Sequence, residues 1–346
     1  MLKQAFVLLL FFTSVQVACA QATSDPVEYM RFFITREADL SKKYLDYMSQ
    51  VAHGNRARKM EKRRQELIAE IRQSLAEANR LRPFKGDATL RDAFKTYWDI
   101  LYKVFNEDYD KIVDMEEIAE QSYDYMEAYL AAQEKAEEVL NEAHDKIQPA
   151  YNEFAKKHHV ELIEGSETKL TKQMRQVSQV NSYYHTLFLI FFKSHKQEMY
   201  VIDALNRKDL NGLEQNRGTL LRYAQEGLQR LETIKTLNND ASLVNACRKV
   251  LEFHKEEAEE YLPGVNEFLL LSDEFEKTRK AFEAKPANRR TKEDIERYNA
   301  TVNKYNAALT NSNKLLTTIN ARREKVVSEW NNTTQRFMDK HVPRAK

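Results

Sequence analysis

"GDATLRDAFKTYWDIL", residues 86–101, decides the fold class. Asp87 stands where a helix cap belongs, because a carboxylate there accepts hydrogen bonds from the first free N–H groups and complements the helix dipole. Behind it Leu90, Ala93, Phe94, Tyr97, Trp98 and Leu101 fall at three- and four-residue steps, the spacing of one buried helical face. From Asp87 to Gln148 the chain runs 62 residues with neither glycine nor proline, and the whole 346 residues contain seven Gly and six Pro. An all-β or α/β chain needs turns far more often than this. The sequence therefore predicts an all-α protein, built as bundles of long helices, several of them over 25 residues.

Upstream, "SDPVEYM" (24–30) starts a first helix with Asp25 as cap and Pro26 at its first position, where the missing N–H costs nothing. Met30, Phe33, Ile34, Leu40, Tyr44, Leu45, Tyr47 and Met48 mark its inward side, and Gly54 ends it. A second helix runs from about Asn55 to Leu81 with a stripe of Leu67, Ile68, Ile71, Leu75, Ala78 and Leu81, before "RPFKG" (82–86) turns the chain. Pro149 predicts a kink downstream.

The same phrase returns as "NDASLVNA" (239–246), which puts Asp240 153 residues after Asp87. At that offset Arg64 falls on Arg217, Leu67 on Leu220, Leu75 on Leu228, Leu90 on Leu243, Phe94 on Cys247, Tyr97 on Val250 and Trp98 on Leu251. At the other end "EFAKKHHV" (153–160) resembles "RFMDKHV" (336–342), an aromatic residue shortly before a His-Val exit. Cap, stripe and exit in one order predict an internal duplication of a three- to four-helix unit, with Asp87 and Asp240 as the helix caps of the repeat. The expected organisation is residues 1–20 as a signal peptide, 21–160 as a first repeat, 161–179 as linker and helix start, and 180–343 as a second repeat with an additional helix, whose loop is "PANRRT" (286–291).

The leader has Lys3, the apolar "AFVLLLFF" (5–12) and the small-residue site "ACA" (18–20) before Gln21. Its apolar run is far below the roughly 20 residues of a membrane-spanning helix, so a cleaved and exported chain is expected; lipidation at Cys19 is disfavoured by Gln16 at the position where lipobox patterns usually carry leucine. Without the leader, Lys+Arg falls to 53 against 53 Asp+Glu, so bulk charge points to neither nucleic acid nor a membrane surface. Cys247 is then the lone cysteine and no intrachain disulfide can form.

The stretches "SQVAHGNRARKMEKRRQEL" (49–67), "FKGDATLRDA" (84–93), "NEDYDKIVDMEEIAEQSYDYMEAYL" (106–130) and "FFKSHKQEMYVIDALNRKDLNGLEQNR" (191–217) resemble a family of exported, all-helical bacterial surface proteins of spirochaetes and Bacteroidota. The resemblance implies a place in the cell envelope, periplasmic or surface-exposed. It supplies no catalytic residue.

Arg56, Arg58, Lys59, Lys62, Arg63 and Arg64 form the candidate interaction face, for phosphate, lipid headgroups or acidic polysaccharide, although helical spacing spreads them around the helix and favours a solvated face. Antiparallel packing would set them level with Asp114, Glu116 and Glu117, allowing an internal charge match. Glu116, Glu120 and Asp124 recur every fourth residue, the spacing of cation ligands on one helical face, but no Glu-x-x-His accompanies them, and neither metal nor other cofactor is expected. His254, aligned with Leu101, reads as a hydrogen-bonded structural histidine, and Cys247 as a small buried hydrophobe. "YYHTLFLIFF" (183–192) reads as the central helix between the halves. With no Gly-x-Ser-x-Gly and no phosphate-cradling loop, the expectation is a non-catalytic envelope protein with a structural or protein-interaction role. Its partner would be a protein or another envelope component, not nucleic acid. A helical binding module for a metal or small ligand is the first alternative, and a hydrolase the second.

Overall fold

The computed structural model describes residues 24–53, 57–162 and 168–343. They fold into α1 (Pro26–Ala52), α2 (Glu61–Arg80), α3 (Thr89–Lys103), α4 (Tyr109–Ala119), α5 (Tyr123–Asp145), α6 (Ile147–Lys157), α7 (Lys169–Arg207), α8 (Leu210–Leu231), α9 (Ser242–Glu256), α10 (Leu262–Ala284) and α11 (Lys292–His341), with no strand among them. The protein is all-α, and no helix among the described residues is long and apolar enough to cross a membrane. The leader, with Cys19, and Gly54 and Arg56 lie outside the described residues.

Local chemistry explains the elements. Asp25 accepts from the Val27 N–H at 2.8 Å to start α1, whose face buries Tyr29, Met30, Phe33, Leu40, Leu45 and Tyr47. Ile34 was expected there and is 46% exposed, because the buried stripe follows 29/33/40/47 and leaves 34 to one side. The Phe84–Asp87 turn closes by reciprocal backbone bonds of 2.9 and 2.8 Å, with Lys85 and Gly86 both at positive φ, as a primed turn requires. The second half repeats this device: Leu237 and Asp240 pair across Asn238 and Asn239, both at positive φ, and asparagine is among the few side chains that tolerate that region.

Beyond each turn the parallel persists. Helix α3 passes through a π-turn at Val104–Asp108 into α4, and α9 through one at Glu257–Tyr261 into α10. A π-turn interrupts the i→i−4 ladder and frees a carbonyl. Arg64 donates to the Phe105 carbonyl in the first half, and Arg217 to the Ala258 carbonyl at 2.9 Å in the second, each also paired with the glutamate three residues before it.

One apolar core joins α1, α2, α3, α5 and α6 around Phe33, Ile71, Phe94, Trp98, Phe105 and Phe154. A second gathers around α7, where Leu187, Ile190, Phe191 and Phe192 meet α9 and Trp330 of α11, and "YYHTLFLIFF", expected as the central helix between the halves, lies in it with Leu45 of α1 and Met126 and Leu130 of α5. Phe191 stacks on Trp330 at 4.6 Å. Helices α10 and α11 leave this body as a hairpin: among residues 266–311 none is buried, and Phe268, Phe275 and Phe282 interleave at heptad spacing with Tyr298 and Tyr305.

Two expectations need correction. The residue at the N-cap position of α3 is Ala88 and of α9 Ala241; Asp87 and Asp240 act from one residue earlier, because the tight turn occupies them. Their carboxylates still take the first helical N–H, of Thr89 at 3.0 Å and Ser242 at 2.9 Å. The acidic segment is also not one helix: α4 ends at Ala119 and Ser122 caps α5, so Glu120 and Asp124 do not share a face. The kink expected from Pro149 falls at Lys146, between α5 and α6, consistent with a proline ring excluding the helical carbonyl four residues before it.

Cys247 is fully buried, its Sγ 3.8 Å from the Leu187 carbonyl, and burial pushes its thiol up to about 12. A thiol reagent at pH 8 should leave it unmodified in native protein and label it stoichiometrically in denaturant; labelling at matching rates in both would place it at the surface.

Candidate functional site

Apolar periodicity in α7 and α9 brings four polar groups into the interior along with it. Glu198, His254 and Glu257 have side chains with no solvent exposure, and His195 lies one helical turn before Glu198. Ser194 donates to the Phe191 carbonyl at 3.2 Å, so its oxygen accepts from His254 Nδ1, 2.9 Å away. That leaves His254 Nε2 as a bare lone pair 3.3 Å from Glu198 Oε2, without hydrogen-bond alignment. His195 Nδ1 lies 3.6 Å from the same oxygen.

From α11, Arg323 binds Glu198 Oε1 at 2.6 Å and Glu257 Oε1 at 2.8 Å. Burial pushes Glu257 up to about 9, with the Glu198 charge adding to it. Burial would also raise Glu198, but its contacts with His254, His195 and Arg323 outweigh burial and hold that carboxyl well below the usual range. Glu198 Oε2, Glu257 Oε2, His195 Nδ1 and His254 Nε2 are all buried without a hydrogen-bond partner. One ligand atom each from His195, Glu198 and His254 lies within 4.8 Å of the others, the grouping among the described residues that can hold a metal ion.

A second feature lies between the halves. α1, α4, α5, α7 and α11 enclose a cleft of about 300 Å³. Tyr47, Tyr109 and Tyr184 contribute to its wall, Glu116, Glu120, Glu134 and Glu137 are its acids, and neither lysine nor arginine lines it. His185 reaches Glu134 at 3.7 Å and lowers its carboxyl. The buried hydroxyls of Tyr47 and Thr334 on this wall have no partner.

The structure disperses the basic stretch. Arg64 is buried beneath Phe105 with Glu61 and Asp110 beside it, Arg63 pairs with Asp46 of α1, and Arg58 reaches Glu117 at 2.5 Å. Lys62 is exposed, and the side chain of Lys59 lies outside the described residues. The internal charge match expected with the acidic segment thus exists at Arg58–Glu117 and Arg64–Asp110. Asp87 and Asp240 each receive a histidine from the far end of their half, His158 Nε2 and His341 Nε2, both at 2.9 Å, while Lys157 and Lys340 stand on the same carboxylates at 3.1 and 2.7 Å.

Sequence reasoning weighed His254 as structural and did not connect it to His195 or Glu198. The available signal was the alignment itself, which sets polar residues against Leu45, Leu101 and Val104. Comparison of the chain with protein-family models, with curated proteins and with solved structures gives no match.

Proposed function

We propose that the chain is a non-catalytic, exported protein of the cell envelope whose task is binding, built from a duplicated helical unit, and that the cleft between the halves takes a small organic cation with an apolar body. The observation that carries this reading is the wall of that cleft: tyrosine rings and carboxylates around about 300 Å³, with neither lysine nor arginine among its lining residues. Carboxylates at a partly apolar wall attract an ammonium group more strongly than they would in water, and aromatic faces add cation–π attraction. The paired turns, π-turns and arginine contacts at a constant offset support the duplication, and residues 1–20 together with the family resemblance support the envelope location.

Mature protein starting at Gln21 should bind spermidine or a choline-type cation in calorimetry, and Glu116→Gln with Glu137→Gln should weaken that binding at least about tenfold, a change of about 1.4 kcal/mol. No heat and no melting shift with either cation at millimolar concentration would overturn the reading. N-terminal sequencing of the native envelope fraction tests the location, with Gln21 as the expected first residue.

The arm favours a second reading, a protein-interaction role. Its seam is self-sufficient, yet Leu270 and Ile295 remain 55% and 45% exposed on it. Shortening α10 and α11 by matched heptads should leave the melting of the body unchanged while removing a native cross-linked partner.

A further inference from the structure

The buried polar cluster stands where the other half of the chain is apolar. At the offset of 153 residues that aligns the caps, Glu198, His254 and Glu257 correspond to Leu45, Leu101 and Val104. At the offset of 183 that aligns His158 with His341, Arg323 corresponds to Leu140. All four first-half residues are buried hydrophobics. The corresponding helix positions are therefore filled by hydrophobic side chains, Leu101, Val104 and Leu140 in the first core and Leu45 in the second.

The vacant valences of the charged set say what it is for. Glu198 Oε2 is an acceptor, and so is His254 Nε2 once Nδ1–H is given to Ser194; both are buried without a hydrogen-bond partner, as is His195 Nδ1. One proton on His254 would satisfy a single pair and leave His195 Nδ1 alone. A metal ion satisfies all three. Two of the three separations match: ligand atoms of a tetrahedral ion with bonds of about 2.0–2.1 Å lie about 3.4 Å apart, against 3.3 Å for His254 Nε2 to Glu198 Oε2 and 3.6 Å for His195 Nδ1 to that oxygen, and the two imidazoles lie within 4.8 Å of each other.

The supporting groups have the form that metal sites use. A ligating histidine donates its other N–H to a fixed acceptor, here Ser194, and a ligating carboxylate has its second oxygen tied down, here by Arg323. We propose that His195, Glu198 and His254 bind one divalent first-row transition-metal ion of the zinc type, with a water in the fourth position. Two imidazoles select such an ion over magnesium or calcium, which prefer oxygen. His195 is the partly exposed member, its side chain 22% accessible, and marks the entry. This site is separate from the cleft between the halves, and either assignment stands without the other.

The test is a titration of chelator-treated protein with Co²⁺, followed by Zn²⁺ displacement. Wild type should take up one equivalent, develop the visible d–d bands of a site with nitrogen ligands, lose them to Zn²⁺, and melt at a higher temperature when loaded. His195→Ala, altering a partly exposed residue, should weaken binding at least tenfold. Glu198→Leu, His254→Leu, Glu257→Val and Arg323→Leu together recreate the apolar first-half layer and should give a cooperatively melting protein that binds no cobalt. Absence of stoichiometric binding in wild type overturns the proposal, as does binding that survives unchanged in His195→Ala or in the fourfold variant. Should the fourfold variant fail to fold, the wild-type stoichiometry and the His195→Ala comparison decide alone.

Discussion

Arg323→Leu should destabilise metal-free protein by about 3–5 kcal/mol, the usual penalty when one partner of a buried ion pair is removed and the other stays behind. Arg323 reaches two carboxylates whose side chains have no solvent exposure. With Glu257 raised to about 9 it is protonated near neutral pH, so the pair carries one negative charge and Arg323 balances it. Leucine would leave the Glu198 carboxylate buried with only histidine to compensate. The fourfold replacement should behave oppositely, within about 2 kcal/mol of wild type or above it, because removing a whole buried polar network and filling the space with hydrophobics is often neutral or stabilising. Urea unfolding in the presence of a chelator measures both. A loss below about 1 kcal/mol for Arg323→Leu would show that the carboxylates reach water when their partner is gone.

That contrast also explains which parts of the molecule could be read from its sequence. The helices α3 and α9 were legible because their stripes are nearly pure: Leu243, Cys247, Val250, Leu251 and His254 are all buried at the expected steps. The turns were legible through Lys-Gly and Asn-Asn before an aspartate. The α4–α5 break was not, since Gln121 and Ser122 carry no glycine or proline, and a serine cap is common in unbroken helical sequence too. Nor were the π-turns, which depend on Arg64 and Arg217 reaching a carbonyl 41 residues further along the chain.

The site was harder still. His195 and Glu198 are neighbours on α7 at a spacing that thousands of solvated helices share, and His254 and Arg323 come from distant segments. Only the packing of α9 and α11 over this face of α7 distinguishes them, because it brings to the interior charges that would otherwise face water. The basic stretch illustrates the converse: six cations in nine residues look like a binding face, yet Arg64 is consumed by a π-turn and Arg63 and Arg58 by acids on α1 and α4. Local charge density does not indicate which cations the fold has already engaged.

The aspartates at the two turns offer the clearest test of how each half is closed. Asp87→Ala removes the acceptor of the Thr89 N–H and of His158, and Asp240→Ala removes that of Ser242 and His341. Each should cost about 2.5–4 kcal/mol, combining a lost helix-start hydrogen bond of about 1 kcal/mol with a charge-assisted bond of about 1.5–3 kcal/mol. Lys157 and Lys340, mostly exposed at 57% and 65%, should add little. For Asp87 burial works against the charge, but the Thr89 N–H and His158 bonds win; for Asp240 the Lys340 and Ser242 bonds lead, and both carboxyls are held well below the usual range. A depressed carboxylate contributes its stability above the unfolded value near 4 and loses it as pH falls below that value toward the folded one. The gap between wild type and Asp87→Ala should therefore be full at pH 7 and shrink below about pH 4. It should also survive high salt, because Asp87 is only 3% exposed, whereas the loss on Glu117→Ala, which breaks the exposed Arg58 pair, should stay under about 1 kcal/mol and vanish in salt. Urea unfolding across pH 3–7 at low and high salt reads these differences. A gap for Asp87→Ala that is constant with pH would assign its cost to lost packing and not to the carboxylate at the helix start.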